Sequence, residues 1–393
     1  TPKGVMLSHK NIVTQLHDIN KLIDLPKEEI ALSLLPLAHI FERTVMSYYL
    51  SRGISVYFVD DILNVANLMK VVKPTIMTAV PRLLEKIFNK IKTQISQKPF
   101  ISRMIASFAF SYALKENMNK NSILFKIYDK VVYSKFREIF GSRVEKLVSG
   151  GAPLSKEIAI FFVNIGVPIY QGYGMTEFSP VVSTNYPNAN KVGSCGKVIP
   201  SAKIKITENN ELLVRGDSLM LAYLNQEELT NKTIDSDGWL HTGDVARVDS
   251  EGYLFITSRV KEIFKTSTGE YVNAVEIEQK ISKNRYIEFA VVIAQNRKFT
   301  TALLFVDKEK FENAKKLNKN LTIEEYYNKD DILRNISSHI NSVNSTLNKW
   351  EKIVDYKILT NDISIETGEL TPSMKISRNK IEEKYANIIN SMY

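Results

Sequence analysis

The chain has 393 residues and is therefore long enough for two hydrophobic cores. Its composition, 44% hydrophobic and 24% charged residues, is typical of globular proteins. The net charge of +9 favours anionic partners, but the lysines look scattered and no basic stripe interleaved with aromatic residues supports nucleic-acid binding. The single cysteine, Cys195, excludes an internal disulfide framework, and no apolar run approaches the ~18 residues of a membrane-spanning helix.

The first 185 residues alternate between helical and strand patterns. Ser8 is typical of a helix N-cap, and one face of the helix that it starts is apolar (Ile12, Val13, Leu16 and Ile19). Short apolar runs then predict strands at 31–35, 54–58, 76–80 and 146–148. Strands that alternate with helices indicate a mainly parallel sheet with helices on both faces. The long amphipathic, aromatic-rich block at 95–140 predicts paired core helices and not a cofactor site. The chain as a whole offers no clear amphipathic membrane anchor.

The pattern changes near residue 190. Alternating segments at 203–206, 211–214, 245–248 and 253–256, separated by turns, predict antiparallel hairpins in a small barrel or sandwich. After Arg259 a smaller mixed unit begins, with strands expected at 289–294 and 301–306. We therefore expect a boundary at 259–261.

The motif IYQGYGMTE (169–177) is the strongest local signal. Gly172 and Gly174 would let the backbone approach a flat ligand, on which the Tyr173 ring can pack. The Thr176 hydroxyl can donate to a phosphate, and the Glu177 carboxylate can hold Mg²⁺ between phosphates. Alone, the motif is equally compatible with a glycine-containing loop and an N-capping threonine.

Three further motifs follow along the chain. In GWLHTGDVA (238–246), Asp244 can accept both hydroxyls of a ribose or bond its own turn, and His241 is expected to be structural. Arg259, Lys261 and Lys265 form a solvated edge or a phosphate and ribose contact at a hinge. In GELTPSMKI (368–376), Lys375 can supply a mobile point charge to a site on another domain, although in isolation it is an ordinary lysine.

In this order and spacing, the four motifs resemble the adenylate-forming superfamily of acyl-CoA synthetases, luciferases and peptide-synthetase adenylation domains. Within it, the chain is most similar to a bacterial-type long-chain fatty acid–CoA ligase. That similarity rests on LPLAHIFERT (35–44), TAVPRLLEKIF (78–88), the helical insert at about 95–140 and KLVSGGAPLSKEI (146–158), and it runs from residue 1 to about 385. The opening TPKGVMLSH resembles the end of the family's phosphate-binding loop, which includes Lys3, so we expect an N-terminally truncated chain.

The resemblance implies an α/β fold with three parts. A large AMP-binding domain spans 1–258, with parallel-sheet layers and helices at 1–185 and a small β-barrel of hairpins at 186–258. A hinge at 259–261 then leads to a smaller α+β C-terminal domain at 262–393.

The resemblance also implies residue roles, with ATP and Mg²⁺ as cofactors and coenzyme A as the second substrate. Thr176 would contact the α-phosphate region, Glu177 would bind Mg²⁺, and Asp244, helped by Arg259, would hold the ribose. Lys375 would be the catalytic lysine of the first half-reaction, and Lys261 would be the hinge. Rotation of the small domain about this hinge would replace Lys375 at the site with the Gly269 segment, which would line the pantetheine channel. The adenine pocket would be lined by Gly151, Ala152, Pro153, Gln171, Gly172, Tyr173 and Gly174. Ser258 and Thr268 stand where the family usually has glycine, and neither replaces a ligand contact.

The implied reaction is ATP-dependent activation of a long-chain fatty acid to acyl-AMP, followed by transfer to coenzyme A. Two alternatives stay open: an adenylating enzyme whose acceptor is an acyl carrier protein, and a non-catalytic nucleotide-binding remnant. We expect residues 1–393 alone to be inactive or poorly folded. We also expect a cytoplasmic location. Because a long-chain substrate implies work near a bilayer, the enzyme can also contact the inner face of the membrane peripherally. Acyl chain length and oligomeric state are not encoded in any motif.

Overall fold

The computed structural model describes residues 3–59, 64–260, 263–316, 318–371 and 376–393. Residue contacts divide the chain into two units, Thr1–Thr257 and Ser258–Tyr393. Each unit has its own buried apolar clusters.

The first unit is mixed α/β. Its strands are β1 (Val5–Met6), β2 (Ile30–Ser33), β3 (Ser55–Phe58), β4 (Ile76–Ala79), β5 (Lys146–Ser149), β6 (Ile169–Gly174), β7 (Val181–Thr184), β8 (Lys197–Val198), β9 (Ala202–Ile206), β10 (Glu211–Gly216), β11 (Ala222–Tyr223), β12 (Leu240–Val248) and β13 (Leu254–Arg259). Its helices are α1 (His9–Leu22), α2 (Ile40–Ser51), α3 (Val65–Val72), α4 (Pro81–Ser96), α5 (Phe100–Ala113), α6 (Ile123–Tyr128), α7 (Ser134–Arg137), α8 (Lys156–Asn164) and α9 (Glu227–Thr233). A π-helical turn, Asp129–Tyr133, joins α6 to α7.

Seven strands form the main sheet, in the order β3-β2-β4-β5-β6-β7-β8. The five strands from β3 to β6 in this order are parallel, and β7 and β8 join antiparallel. The four strands predicted before residue 150 are all present, because each is a short apolar run between a helix and a turn. The parallel arrangement puts the carboxyl ends of β2, β4, β5 and β6 on one edge.

Helix α1 begins as predicted at Ser8, whose hydroxyl accepts a hydrogen bond from the Asn11 N–H. Its fully buried residues are polar, however, whereas Leu16 and Ile19 of the predicted apolar face are half-buried against a core cluster. The Gln15 amide donates to the carbonyls of Phe178 and Val181 at 3.1 and 2.9 Å. Asn11 and Asp18 are also buried, so this helix face satisfies backbone groups of distant loops, while Val13 is exposed.

The predicted paired helices at 95–140 are α5 to α7, which pack beside α4 and α8. Their inner sides join the main core through an aromatic cluster in which Phe110 lies 5.2 Å from Phe88 and 4.7 Å from Phe161 between ring centroids. Their outer sides do not: Phe100 and Phe108 are exposed. The core-helix prediction is therefore right for only one side of the pair.

The predicted hairpins form a four-stranded antiparallel sheet in the order β13-β12-β10-β9. It is tied to the main sheet through Cys195, whose N–H donates to the Leu254 carbonyl at 2.7 Å and whose carbonyl accepts from the Ser183 hydroxyl at 2.9 Å. Strands β1 and β11 pair separately, with Val5 opposite Tyr223.

The second unit is α+β. Its strands are β14 (Ile263–Lys265), β15 (Tyr271–Asn273), β16 (Ile287–Ile293), β17 (Thr300–Val306) and β18 (Ile353–Leu359), and its helices are α10 (Ala274–Ile281), α11 (Lys308–Lys315), α12 (Ile323–Tyr327), α13 (Asp330–Asn344), α14 (Arg378–Lys384) and α15 (Ala386–Asn390). The three-stranded sheet β16-β17-β18 is covered on both faces by separate apolar clusters. The predicted fold class, a larger α/β part followed by a smaller α+β part, is confirmed.

Candidate active site

Several predicted ligand residues meet at the carboxyl edge of the main sheet. Strands β5 and β6 are parallel neighbours, with Ser149 opposite Gln171. The loop Gly151-Ala152-Pro153 therefore leaves β5 beside the segment 171–174 at the end of β6. Ligands of open α/β sheets bind in the crevice outside these strand ends.

Two buried polar atoms at this edge have no hydrogen-bond partner within the described part of the chain. They are the Ser149 hydroxyl oxygen and the Gln171 side-chain carbonyl oxygen, which belong to paired positions of β5 and β6. A buried polar atom left unpaired costs about 1–3 kcal/mol. A nucleobase carries N–H donors and ring acceptors, so it is a ligand that fits this pair.

Gly172 and Gly174 serve strand packing, which sequence reasoning did not anticipate. A Cβ at Gly174 would lie 2.2 Å from the backbone carbonyl oxygen of Pro180, and a Cβ at Gly172 would lie 3.1 Å from that of Ser183. Both atoms belong to the chain leading into or forming β7. The β6–β7 pairing thus excludes a side chain at Gly174, whatever ligand approaches the other side, and leaves only tight space for one at Gly172.

Tyr173 and Asp244, predicted separately as adenine and ribose contacts, are joined in the structure. The Tyr173 hydroxyl donates to the Asp244 carboxylate at 2.5 Å. Asp244 is buried, with 3% of its surface exposed, and its N–H donates to the Thr242 hydroxyl at 3.1 Å. The bond links the end of β6 to β12.

The turn before Asp244 is held by Glu211 of β10. One Glu211 carboxylate oxygen accepts from the Gly243 N–H at 3.1 Å, and the other lies 3.2 Å from Nδ1 of His241. His241 therefore has a partner that agrees with the structural role expected for it. That partner, Glu211, lies thirty residues upstream, so the local sequence did not point to it.

Glu177 and Lys3 lie on either side of a tyrosine that sequence analysis did not identify. The Tyr223 hydroxyl donates to the Glu177 carboxylate at 2.7 Å, and the Lys3 ammonium lies 4.8 Å from the centroid of the Tyr223 ring. The β1–β11 pairing brings Lys3 to Tyr223, and the Met220 N–H, which donates to the Glu177 carbonyl at 2.8 Å, brings Glu177 close to the start of β11. Burial, and then the hydrogen bond to Glu177 and its negative charge, hold the pKa of Tyr223 well above its usual range, so the phenol stays a donor.

The Glu177 region fits a Mg²⁺ ion that is shared with phosphate. No group of three or more His, Cys, Asp or Glu residues that could hold a metal ion is found in the described ranges. Mg²⁺ usually keeps several waters and takes one or two carboxylates together with substrate phosphates. One half-buried carboxylate beside the exposed Thr176 and Lys3 satisfies that pattern.

Glu42, within LPLAHIFERT, is a second residue that sequence analysis did not identify. It is buried, and its two oxygens accept from the hydroxyls of Ser33 and Thr78, each at 2.6 Å. Burial raises its pKa, which the two hydrogen bonds only partly offset. Ser33 ends β2 and Thr78 is in β4, so Glu42 fastens α2 to the sheet edge, and Phe41 packs on Gly150 before the Gly151 loop. The available signal was that Glu42 is the only carboxylate of this motif.

The remaining predicted residues belong to the second unit. Arg259 ends β13 and is exposed. Gly269 lies in the β14–β15 turn with φ of +91°, donating its N–H to the Thr266 carbonyl at 3.0 Å, so its conformation alone favours glycine there. Lys261 and Lys375 lie outside the described residues.

The segments that flank Lys375 are anchored. Leu370 and Ile376 form an antiparallel bridge. The neighbouring Glu369 carboxylate is buried and accepts hydrogen bonds from the Lys384 ammonium and the Thr367 hydroxyl. Burial alone would raise the pKa of Glu369, but these hydrogen bonds outweigh it and lower the pKa to about 2.

Residues 1–224 match the family described as AMP-binding enzyme, and residues 261–393 match the AMP-binding enzyme C-terminal domain. Curated relatives include the long-chain-fatty-acid–CoA ligase FadD15 of Mycobacterium bovis, 32% identical over all of this chain and 67% of its own length. The ligase ACSBG1 of Bos taurus is 33% identical over all of this chain and 59% of its own length. The chain therefore spans between about half and two thirds of such relatives.

Solved structures share the fold. The adenylation domain of a carboxylate reductase from Mycobacterium chelonae superposes with a TM-score of 0.75 at 22% identity, over 100% of this chain and 58% of that one. The o-succinylbenzoate coenzyme A synthetase of Bacillus subtilis, in complex with ATP and magnesium ion, gives 0.66 at 20% identity, over 97% and 67%.

Proposed function

We propose that this chain, which belongs to the AMP-binding enzyme family, activates a long-chain fatty acid with ATP and passes the acyl group to coenzyme A. The observation that carries the proposal is the arrangement at the sheet edge. The half-buried Tyr173 is bonded to the buried Asp244, and Lys3, Tyr223 and Glu177 form a second group in the same unit. The substrate class is supported by the names of the curated relatives.

In the first step a carboxylate oxygen of the fatty acid attacks the α-phosphorus of ATP. The bond from that phosphorus to the bridging oxygen breaks, and pyrophosphate leaves with the electron pair. The reactants are all anions, so catalysis depends on cations fixed in advance. Lys3 supplies one charge on the phosphate side, and Mg²⁺ held by Glu177 would neutralise developing phosphate charge. Asp244 holds the ribose, and the 171–174 segment with the Gly151 loop holds the base.

In the second step the thiolate of coenzyme A attacks the acyl carbonyl carbon of acyl-AMP. The acyl–oxygen bond breaks and AMP leaves, giving acyl-CoA. We assign the Gly269 turn to the pantetheine side of this reaction, and Arg259 and Lys261 to the hinge.

Lys375 is the proposed catalytic lysine of the first step only. Lys375→Ala should abolish acyl-AMP formation yet largely spare thioester formation from supplied acyl-AMP. Lys380→Ala, an exposed lysine of α14, is the matched control. Equal loss of both half-reactions in Lys375→Ala would contradict the assignment.

ATP–pyrophosphate exchange by the complete gene product, with palmitate, octanoate or acetate, tests the proposed function. We expect exchange with palmitate, followed by consumption of coenzyme A. Exchange with the short acids alone would overturn the long-chain assignment. Transfer only to an acyl carrier protein would change the acceptor, and no exchange with any acid would favour the non-catalytic alternative.

The cellular location stays a prediction. No described helix is long and apolar enough to cross a membrane. We propose a cytoplasmic enzyme in peripheral contact with the inner membrane face, where long-chain fatty acids partition.

A further inference from the structure

Helix α5 is apolar on the side that faces solvent. Its exposed residues include Phe100, 69% exposed, and Phe108, 63% exposed. The other members of this exposed stripe are Ile101, Met104 and Ile105. The buried side of α5 is made of smaller residues (Ala106, Ala109 and Ala113, with Phe110). A helix of a globular protein normally turns its polar residues to solvent, so this exposed apolar stripe indicates a partner surface.

The next helix carries a second exposed stripe. Ile123, 78% exposed, is followed at helical spacing by Leu124, Ile127 and Val131. The two helices pack antiparallel: the rings of Tyr112 and Tyr128 are 5.7 Å apart, and the Tyr133 hydroxyl donates to the Ala109 carbonyl at 2.8 Å. The first helix buries the side opposite its stripe, and the second packs the half-buried Phe125 and Tyr128 against the core, so both stripes lie on the outside of the pair. We call these nine residues the outer face.

The sequence segment that contains the outer face is strongly basic, a clustering that the prediction of scattered lysines missed. Residues 81–140 contain twelve lysines and arginines and four acidic residues, a net charge of +8, against +9 for all 393 residues. Ten of the twelve cations are exposed. Three of the acidic residues are paired: Glu85 with Arg82 at 3.3 Å, Glu116 with Lys156 at 2.8 Å and Asp129 with Arg137 at 2.5 Å.

We propose that the outer face docks on an anionic lipid bilayer. Apolar side chains such as Phe100 and Phe108 would enter the headgroup–acyl boundary, while the surrounding lysines meet anionic headgroups. A second copy of the chain fits less well, because two segments of +8 repel each other. A protein partner also fits less well, because lysine is depleted at protein interfaces. The docking does not depend on the reaction proposed above.

Vesicle sedimentation of the complete gene product tests the proposal, with ATP–pyrophosphate exchange measured on the same samples. The probes are vesicles of phosphatidylcholine alone and of phosphatidylcholine mixed with phosphatidylglycerol. We expect binding to the mixed vesicles that weakens with added salt. The apolar variant, Phe100→Ser with Phe108→Ser, should bind at least about tenfold more weakly.

The charge variant, Lys98→Gln with Lys126→Gln and Lys130→Gln, should bind roughly 100-fold more weakly. Its matched control replaces three exposed lysines of the second unit (Lys315, Lys316 and Lys319) with glutamine. The apolar control is Phe58→Ser with Val354→Ser, which are 60% and 64% exposed. Both controls should bind like the parent.

Three outcomes would overturn the proposal: no binding to either vesicle, equal losses in test and control variants, or binding that ignores phosphatidylglycerol. A dimer that the outer-face substitutions dissolve would assign the face to a second copy. Because exchange is scored separately, a protein that binds vesicles without exchanging pyrophosphate would contradict the proposed function and leave the docking surface standing.

Discussion

Replacing Tyr223 with phenylalanine removes one hydroxyl from the Glu177 region and leaves the ring that lies against Lys3. The lost bond is 2.7 Å long and ends on a carboxylate. Hydrogen bonds to charged groups contribute about 1.5–3 kcal/mol, or roughly 10- to 150-fold. We expect the lower end, about tenfold, because Glu177 is only half-buried and water can replace the phenol. Pyrophosphate exchange should fall about tenfold at low Mg²⁺ and recover as Mg²⁺ is raised, since the carboxylate is still present but less well oriented.

Tyr48→Phe is the control for this experiment. Tyr48 is as buried as Tyr223, and its hydroxyl donates to the Ile23 carbonyl at 2.5 Å. Both variants should lose comparable thermal stability, but only Tyr223→Phe should change the Mg²⁺ dependence of exchange. If the two variants show the same Mg²⁺ dependence as the parent, Tyr223 does not orient Glu177 for catalysis.

Three other perturbations have defined outcomes. Gly174→Ala should lower the free energy of unfolding by on the order of 2 kcal/mol, because the new methyl group collides with a backbone carbonyl. Denaturant titration measures this loss, and an unchanged midpoint would contradict the packing role of Gly174. Tyr173→Phe should raise the KM for ATP in the exchange assay about tenfold, because the Asp244 carboxylate loses its donor; an unchanged KM would separate the pair from nucleotide binding. The lowered pKa of Glu369 contributes stability above its ordinary value of 4.5, and that stability is lost as the pH falls towards about 2. Glu369→Gln, followed by thermal unfolding across this range, should reduce the acid-dependent loss, and an identical pH profile would refute the role of the Lys384 pair.

The parts of the fold that were predictable depend on neighbours in sequence. Ser8 caps α1 through Asn11, three residues away, and the parallel strands are apolar runs flanked by their own turns. The buried face of α1 was not predictable. Gln15 bonds carbonyls more than 160 residues away, and a polar face gives no sign of burial until its partners are in place.

The candidate site follows the same rule. Tyr173, Glu177 and Asp244 were found because each lies within a compact motif. Tyr223 was missed because it is 46 residues from Glu177 in an unremarkable segment, and it becomes a neighbour only in the fold, where the Met220 N–H donates to the Glu177 carbonyl. The roles of Lys261 and Lys375 stay predictions.

The buried position of Cys195 has a practical consequence for assays of this protein. Burial raises the pKa of its thiol to about 11, so almost none of it is thiolate at neutral pH. It is also the only cysteine in the sequence. A colorimetric thiol reagent added to the native enzyme would therefore receive almost no signal from Cys195 while it reports the consumption of coenzyme A. The same reagent, added along a denaturant series, would measure when Cys195 becomes accessible, and therefore when the hydrogen bonds that link it to β7 and β13 break.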